Sequence, residues 1–228
     1  MLLGHLTTPH LADACLLLGV PVRCGPHLLR PAALGMTASG RVRPVRHAGS
    51  VDVFLEAFED ARAGDVLVVD NTGRLDEACV GDLIALEAKR AGLAGIVIWG
   101  LHRDGLEISE IGLPVFSLGV LPAGPQRLDP RPPDVFDSAR VGTYIVTSSD
   151  VVVADGDGVL FVPQARFDEV VAAATGIRDK ERRQATAMAA GRSLRDQVRF
   201  GEYLSRRRTD PDYTFRQHLK VLGAAIEE

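Results

Sequence analysis

The stretch that decides the fold covers residues 81–107 and reads GDLIALEAKRAGLAGIVIWGLHRDGLE. Its first half predicts a helix over residues 83–91, opened by Gly81-Asp82 and closed by a glycine. Its second half, residues 95–100, is a short apolar run typical of buried strands. A similar run at residues 66–70 precedes the helix. This order predicts a right-handed βαβ unit with parallel strands, and therefore an α/β fold.

Outward from this unit, the pattern predicts further elements on both sides. They are a helix from Thr8-Pro9 to Gly19 with Thr8 as its N-cap, short strands and turns over residues 20–50, a helix over 52–61, a strand over 114–118, and strands over 143–153 and 159–162 joined by a hairpin turn at 155–158. From Pro163 onward the chain becomes rich in Ala, Glu and Arg. We therefore predict a core over residues 1–165 and a helical C-terminal arm over 166–228.

The pattern of the C-terminal arm predicts a helix over residues 166–192 and a second, polar helix to about residue 207. Residues 178–208 contain ten basic and four acidic side chains. One interpretation is an arm that binds RNA or a protein partner. The other is a solvated or subunit-packing helix pair, which the sparse aromatic residues favour because they cannot form regular base-stacking platforms.

The composition of the 228 residues excludes several classes of protein. There are 26 basic and 30 acidic residues, a net charge of -4, which argues against nucleic-acid binding over the whole surface. Three cysteines without a CxxC pair indicate neither a disulfide framework nor a cysteine zinc site. The start of the chain lacks the basic segment of a signal peptide, and no apolar run approaches the roughly 20 residues that cross a bilayer. We expect a soluble cytoplasmic protein.

Recognised catalytic motifs are also absent from the sequence. It has no GxxxxGK[ST] phosphate loop, no GxSxG elbow, no HExxH pair and no EF-hand loop. The six histidines are scattered without metal-binding spacing. Only three of the 26 basic residues are lysines, so an imine mechanism would depend on Lys89, Lys180 or Lys220.

The two ends of the opening stretch carry groups that suit an anionic ligand and a cation. The first-turn amides of Leu83 and Ile84, next to Asp82, are placed to receive a carboxylate. Arg103 and Asp104 follow the next strand, where ligands bind in open α/β sheets. An arginine fork can bind keto-acid oxygens, and an aspartate can hold a hard divalent cation. As an exposed Arg-Asp pair is common, this pattern also permits a loop without function.

The spacing Gly81-Asp82 and Arg103-Asp104-x-x-Glu107 across a βαβ unit resembles the RraA-like family. GDVLVVDNTG before it, PVFSLGVLPAG after it, the N-terminal TTPHLADA and the turn VVADGDGVLFVP are similar to family segments, over about residues 5–175. The resemblance implies a swivelling β/β/α domain that forms homotrimers or homohexamers with active sites at subunit interfaces. The family that the chain resembles includes metal-dependent (class II) aldolases, which are carbon–carbon lyases acting on 4-hydroxy-4-methyl-2-oxoglutarate.

Carried onto this chain, the resemblance implies a role for each residue of the pattern. Asp104 would ligate Mg²⁺ or Mn²⁺ with help from Glu107, and Arg103 would bind the pyruvate oxygens. The amides of Leu83 and Ile84, after Gly81, would receive the pyruvate carboxylate, and Asp82 would orient a water that protonates the enolate or would take part in metal hydration. Retro-aldol cleavage and oxaloacetate decarboxylation both leave a pyruvate enolate, whose charge a Lewis acid and an arginine stabilise.

The same family also contains regulators that bind an endoribonuclease and have no aldolase chemistry. In such proteins the metal-binding aspartate can be replaced, whereas Asp104 and Glu107 are both present here. The resemblance therefore favours an enzyme that acts on a 2-oxo acid, with a non-catalytic ribonuclease regulator as the alternative. Trp99 and His102 depart from the family pattern before Arg103-Asp104. Trp99 is explained either by core packing or by a reshaped pocket.

Overall fold

The computed structural model describes residues 5–223. Two compact units divide this part of the chain. The first contains residues 5–8 and 21–168, and the second contains residues 9–20 and 169–223. The α/β class and the helical character of the C-terminal region are confirmed.

The first unit contains both strands and helices, whereas the elements described in the second unit are all helical. The strands are β1 (Arg23–Cys24), β2 (Arg30–Pro31), β3 (Ala38–Arg46), β4 (Val66–Asp70), β5 (Ala78–Val80), β6 (Gly95–Trp99), β7 (Leu101–His102), β8 (Val115–Ser117), β9 (Ala139–Val141), β10 (Tyr144–Val146), β11 (Asp150–Asp155) and β12 (Gly158–Pro163). The helices are α1 (Thr8–Leu17), α2 (Asp52–Glu59), α3 (Asp82–Arg90), α4 (Gly105–Ile111), α5 (Phe167–Ala189), α6 (Leu194–Gln197), α7 (Phe200–Thr209) and α8 (Phe215–Leu222).

The main sheet of the first unit has the order β1-β12-β11-β3-β4-β6-β8-β2, and its centre, β3-β4-β6-β8, is parallel. The predicted βαβ unit is confirmed, because β4 and β6 pair in parallel from Val66↔Gly95 to Asp70↔Trp99 with α3 between them. The predicted hairpin is confirmed by the antiparallel β11–β12 pair, whose last partners are Asp155 and Gly158. Consecutive residues of the central strands point to opposite faces.

Each face of this sheet has its own apolar core. Leu67, Val69 and Ile98 pack with α2 and α3 on one side. Val66 and Val68 pack on the other side with residues of β9 to β12. Since both faces are covered, the parallel strands are continuous apolar runs rather than alternating ones.

Several predicted boundaries differ from the structure. The first helix begins at Thr8 itself, whose backbone N–H and hydroxyl both donate to Asp155 at 2.7 Å. The predicted strand over 143–153 is two strands, because Asp150 accepts a hydrogen bond from the Thr147 amide and closes a turn between them. The predicted connection between residues 100 and 114 contains α4, and β5 and β7 are also additional elements. These three elements have only two to seven residues each, too few to show a clear hydrophobic pattern.

The second unit contains most of α1, most of α5 and the whole of α6 to α8. The predicted polar helix before residue 207 is interrupted at Arg199, which has a positive φ of 47°, and so forms α6 and α7. The last helix, α8, was not predicted; its N-terminus carries a capping box between Thr214 and Gln217. Among residues 5–223, no helix is both long and apolar enough to cross a membrane.

Candidate functional site

A short parallel ladder brings the two ends of the opening stretch together. In the β5–β7 pair, Ala78 lies opposite Leu101 and Val80 opposite His102. The Arg103 N–H then donates to the Val80 carbonyl at 2.9 Å. Because Gly81 follows β5 and Arg103 follows β7, the Gly81-Asp82 and Arg103-Asp104 pairs lie side by side. Residues about 20 positions apart in the chain thus form one site.

Gly81 is required here by space rather than by backbone conformation. Its φ of -125° and ψ of -169° are extended values that any residue adopts. A Cβ at this position, however, would lie 2.5 Å from Asp104 Oδ2 and 3.1 Å from Arg103 Nε. A side chain at residue 81 would therefore displace both groups.

Asp104 adopts an unusual backbone conformation that leaves its carboxylate in the site. It has a φ of 57° at the N-cap of α4, where its carbonyl accepts from the Ile108 N–H at 2.9 Å. Its side chain makes no capping bond to α4. Instead, Oδ2 accepts from the Asp82 amide at 3.3 Å and lies 3.4 Å from Arg103 Nε. A residue held in this sparsely populated region indicates a position determined by the site rather than by the helix.

The amide of Leu83 already contacts a carboxylate in this structure. Its N–H donates to Asp82 Oδ1 at 2.7 Å. The first i→i−4 bond of α3 runs from the Ala85 N–H to the Gly81 carbonyl, so the amides of residues 82–84 precede the helical ladder. The Asp82 carboxylate that accepts from the Leu83 amide is the same chemical group as the carboxylate of a 2-oxo acid. A bound oxo acid would thus exchange with the side chain of Asp82.

A cavity of about 450 Å³ opens beside these residues. Its lining combines the predicted site residues with apolar side chains: Val51, Leu55, Ala78, Cys79, Gly81, Asp82, Leu83, Ile84, Leu86, Glu87, Arg90, Arg103 and Pro125. The Arg103 side chain is about half exposed, at 49%. No lysine lines this cavity, and Lys89 is exposed and donates to the Ile111 carbonyl. The chemistry of this cavity therefore depends on arginine and carboxylate groups.

The carboxylate of Asp104 suits a hard divalent cation with an open coordination shell. It lies next to the backbone amide of Asp82 and supplies oxygen ligands of the type that Mg²⁺ and Mn²⁺ prefer. Glu107 is exposed on α4 and contacts neither Asp82 nor Asp104 by a hydrogen bond. Within residues 5–223, no three His, Cys, Asp or Glu side chains are grouped as metal ligands. The remaining positions of a magnesium ion would be filled by water and substrate, as is usual for this metal.

His102 and Trp99, which depart from the family pattern, do not line the cavity. His102 is buried, and its Nδ1 lies 2.7 Å from Ser117 Oγ. Burial lowers the pKa of His102, which keeps the ring neutral. A Cβ at Gly73 would lie 2.8 Å from Trp99 Cζ2, so the indole packs on the backbone of that loop.

A buried polar cluster behind the site was missed by the sequence reasoning. Arg127 Nη2 donates to Glu77 Oε1 at 2.8 Å and to Asn71 Oδ1 at 3.0 Å, and His47 Nδ1 lies 3.0 Å from the same Asn71 oxygen. Glu77 is only 3% exposed. These residues are spread over 80 positions of sequence without a common spacing. In the sequence they are only scattered polar residues, and no pattern indicates that they meet.

The Glu77–Arg127 pair joins the two segments that enclose Arg103. Glu77 precedes β5, whose Ala78 N–H donates to the Ala123 carbonyl at 2.8 Å. Next to Ala123, a Cβ at Gly124 would lie 3.2 Å from Arg103 Nη1. The ion pair therefore fixes the loop that packs on the guanidinium group.

Comparison with known proteins assigns this chain to one family. The RraA-like family (Aldolase/RraA) matches the chain over residues 8–161. The chain belongs to the RraA-like family. The crystal structure of Streptomyces coelicolor RraAS2, described as an unusual member of the RNase ES inhibitor RraA family, superposes with a TM-score of 0.67 at 28% identity, covering 77% of this chain and 89% of that one. The predicted swivelling β/β/α fold is confirmed by this likeness.

Two curated relatives of this RraA-like chain are similar over part of their length. Protein DlpA of Legionella pneumophila is 33% identical over 130 residues, which are 57% of this chain and 21% of DlpA. A protein of Halalkalibacterium halodurans, whose name proposes a 4-hydroxy-4-methyl-2-oxoglutarate aldolase, is 30% identical over 144 residues, 63% of this chain and 65% of that protein. The chain thus spans less than two thirds of either relative.

Proposed function

We propose that this protein is a divalent-metal-dependent pyruvate lyase. It would cleave 4-hydroxy-2-oxo acids of the 4-hydroxy-4-methyl-2-oxoglutarate type and decarboxylate oxaloacetate. The observation that carries the proposal is the contact of Asp104 with Gly81, Asp82 and Arg103 at the mouth of a cavity. Family membership and the aldolase name of the H. halodurans relative support it.

Different residues of the site bind the substrate and stabilise its developing charge. Arg103 donates to the oxygens of the 2-oxo acid and stabilises negative charge as it develops on the 2-oxo group. The amides of Leu83 and Ile84 bind the carboxylate of the substrate. Asp82, released from the Leu83 amide, orients a water that delivers a proton to C3. Mg²⁺ or Mn²⁺ held by Asp104, with Glu107 in its hydration shell, would supply Lewis-acid polarisation of the 2-oxo group.

The test is pyruvate release from oxaloacetate and from 4-hydroxy-4-methyl-2-oxoglutarate, with and without Mg²⁺. We expect metal-dependent turnover that EDTA abolishes, and a loss of about 100-fold in kcat/KM in Asp104→Ala and in Arg103→Ala. Glu110→Gln, an exposed carboxylate on the same helix as Glu107, is the matched control and should behave as wild type. No turnover of either substrate, or equal turnover in Asp104→Ala, would refute the proposal.

A second candidate function is regulation of an endoribonuclease without catalysis. It is favoured by the similarity to RraAS2 and by the arginines that end α7, Arg206 to Arg208. The measurement is RNA cleavage by a purified RNase E-type enzyme with and without the full chain. Inhibition that is lost when these three arginines are replaced by serine would support this function, and unchanged cleavage would exclude it.

A further inference from the structure

The cavity beside Arg103 continues as a groove between α2 and α3 that pyruvate alone would not fill. Its volume of about 450 Å³ lies within the usual range for small-molecule sites, which is about 300–1,000 Å³. Pyruvate is much smaller than this. The residues near Arg103 and the amides of α3 account for one end of the cavity only.

The walls of this groove are apolar. Val51 and Leu55 line it from the α2 side, and Leu83 and Leu86 line it from α3. These four side chains are 42–74% exposed and form a group of apolar residues beside a polar site. Cys79, in the floor, donates to the Leu101 carbonyl, and burial raises the pKa of its thiol, so this residue also behaves as an apolar group.

The polar residues of the groove lie at its two ends. Leu83, Leu86 and Arg90 recur at helical spacing and so share one face of α3. With a rise of about 1.5 Å per residue, Arg90 lies roughly 10 Å along the helix from Leu83. Glu87 and Arg90 are the charged residues that α3 adds to the lining beyond Leu83, and Leu83 and Leu86 supply hydrocarbon contacts before them.

We propose that this groove binds the non-pyruvate half of the substrate and selects an apolar substituent on C4, such as a phenyl ring or an alkyl chain of similar size. This inference rests on the proposed lyase function and names its substrate class. A second carboxylate on C4, as in 4-hydroxy-4-methyl-2-oxoglutarate, would lie against Leu83 and Leu86, and apart from Arg103 the only cation of the lining is Arg90, about 10 Å along α3 from Leu83.

The reaction of such a substrate needs no further reactant. In 4-hydroxy-2-oxo-4-phenylbutanoate, the C4 hydroxyl loses its proton to water and the C3–C4 bond breaks, so that C4 becomes the carbonyl carbon of benzaldehyde. The electron pair of the broken bond remains with C3, which takes a proton from water and becomes the methyl group of pyruvate.

The experiment compares kcat/KM for 4-hydroxy-2-oxo-4-phenylbutanoate, 4-hydroxy-4-methyl-2-oxoglutarate and oxaloacetate. Oxaloacetate reports the pyruvate end of the site, since it has no C4 substituent that reaches the groove. We expect the phenyl substrate to be preferred over the dicarboxylate by about tenfold or more. In Leu86→Asp and Leu55→Asp, the ratio of kcat/KM for the phenyl substrate to that for oxaloacetate should fall by about tenfold.

Leu34→Asp, at a fully exposed leucine outside the cavity, is the control and should leave this ratio unchanged. Turnover of oxaloacetate without a preference for the phenyl substrate would overturn the groove assignment and leave the lyase function intact. An unchanged ratio in both groove variants, if they fold, would also overturn the groove assignment. A change of oligomeric state in these variants would overturn it too, because it would identify the groove as a subunit contact. No turnover of any substrate would overturn both proposals.

Discussion

At the scale of single residues, Gly81 links the sequence motif to the geometry of the site. The absence of a side chain lets Asp104 and Arg103 lie against the backbone of residue 81. The sequence reasoning singled out this glycine for its place before a helix. The structure adds a second reason, since Asp104 and Arg103 occupy the space that a side chain at residue 81 would need.

Gly81→Ala tests this space requirement. The added methyl group would force Asp104 Oδ2 away from the Asp82 amide, because 2.5 Å is far below any normal contact. We expect metal-dependent pyruvate release to fall by about tenfold or more, while the unfolding temperature changes little. Gly156→Ala is the control, since its Cβ would have no neighbour within 4 Å. Wild-type kinetics in Gly81→Ala would contradict the prediction.

His47 is a residue whose burial makes stability depend on pH. It is 6% exposed and stacks on Phe54 at 5.3 Å, and burial lowers its pKa although Asn71 and Glu77 partly oppose this effect. Arg127 and Asp129 are the other charged groups that act on it. The unfolded chain, whose histidine has a pKa of about 6.5, therefore binds a proton that the folded chain does not.

The free energy of unfolding should consequently decrease as the pH falls below about 6.5, by at most about 1.4 kcal/mol per pH unit for this residue. Urea unfolding at pH 7.5 and 5.5 measures the change. In His47→Gln, which keeps a polar side chain but cannot be protonated, the dependence on pH should be weaker. An identical dependence in the variant and the wild type would show that His47 does not cause it.

At the scale of elements, the site depends on how β5 and the loop at residues 123–127 are held. These are short segments with little intrinsic stability, and the Glu77–Arg127 ion pair joins them behind the cavity. Since Glu77 is almost fully buried, its charge requires a partner.

Arg127→Ala should therefore lower the free energy of unfolding by about 3 kcal/mol, because it leaves a buried carboxylate with only Arg74, at 3.5 Å, and the buried His47 ring, at 3.8 Å, nearby. Arg131→Ala removes an arginine whose carboxylate partners, Asp52 and Glu56, are in contact with solvent, and should cost about 1 kcal/mol or less. Denaturant unfolding of both variants gives the comparison. Equal losses in the free energy of unfolding would show that burial does not make the Glu77–Arg127 pair more important than the exposed pairs of Arg131.

At the scale of the whole molecule, we propose that the protein forms a homotrimer or homohexamer with its active sites at subunit interfaces. Leu106 and Val120 are 71% and 65% exposed, and Val120 lies beside Gly105, directly after Asp104. Large apolar groups next to a site are typical of a surface that another subunit covers.

Leu106→Glu should dissociate such an assembly, because the new charge would have to be buried in the contact. Light scattering coupled to size-exclusion chromatography measures the mass, and Leu34→Glu is the control at a leucine that is fully exposed. A wild-type protein that is monomeric at micromolar concentration would contradict the proposal.

The sequence by itself determined the βαβ core and the family. Strands β4 and β6 and helix α3 were predictable because their apolar periodicity is local, and the same holds for α2 and the β11–β12 hairpin. The pairing of β5 with β7, the positive φ of Asp104 and the Glu77–Arg127 pair were decided only by the tertiary structure. Each depends on contacts between residues far apart in the chain, in segments too short to have a period of their own. The tertiary structure also decided that the Leu83 amide donates to Asp82 and that a groove lies between α2 and α3. No local pattern in the sequence shows which side chains meet across a cavity.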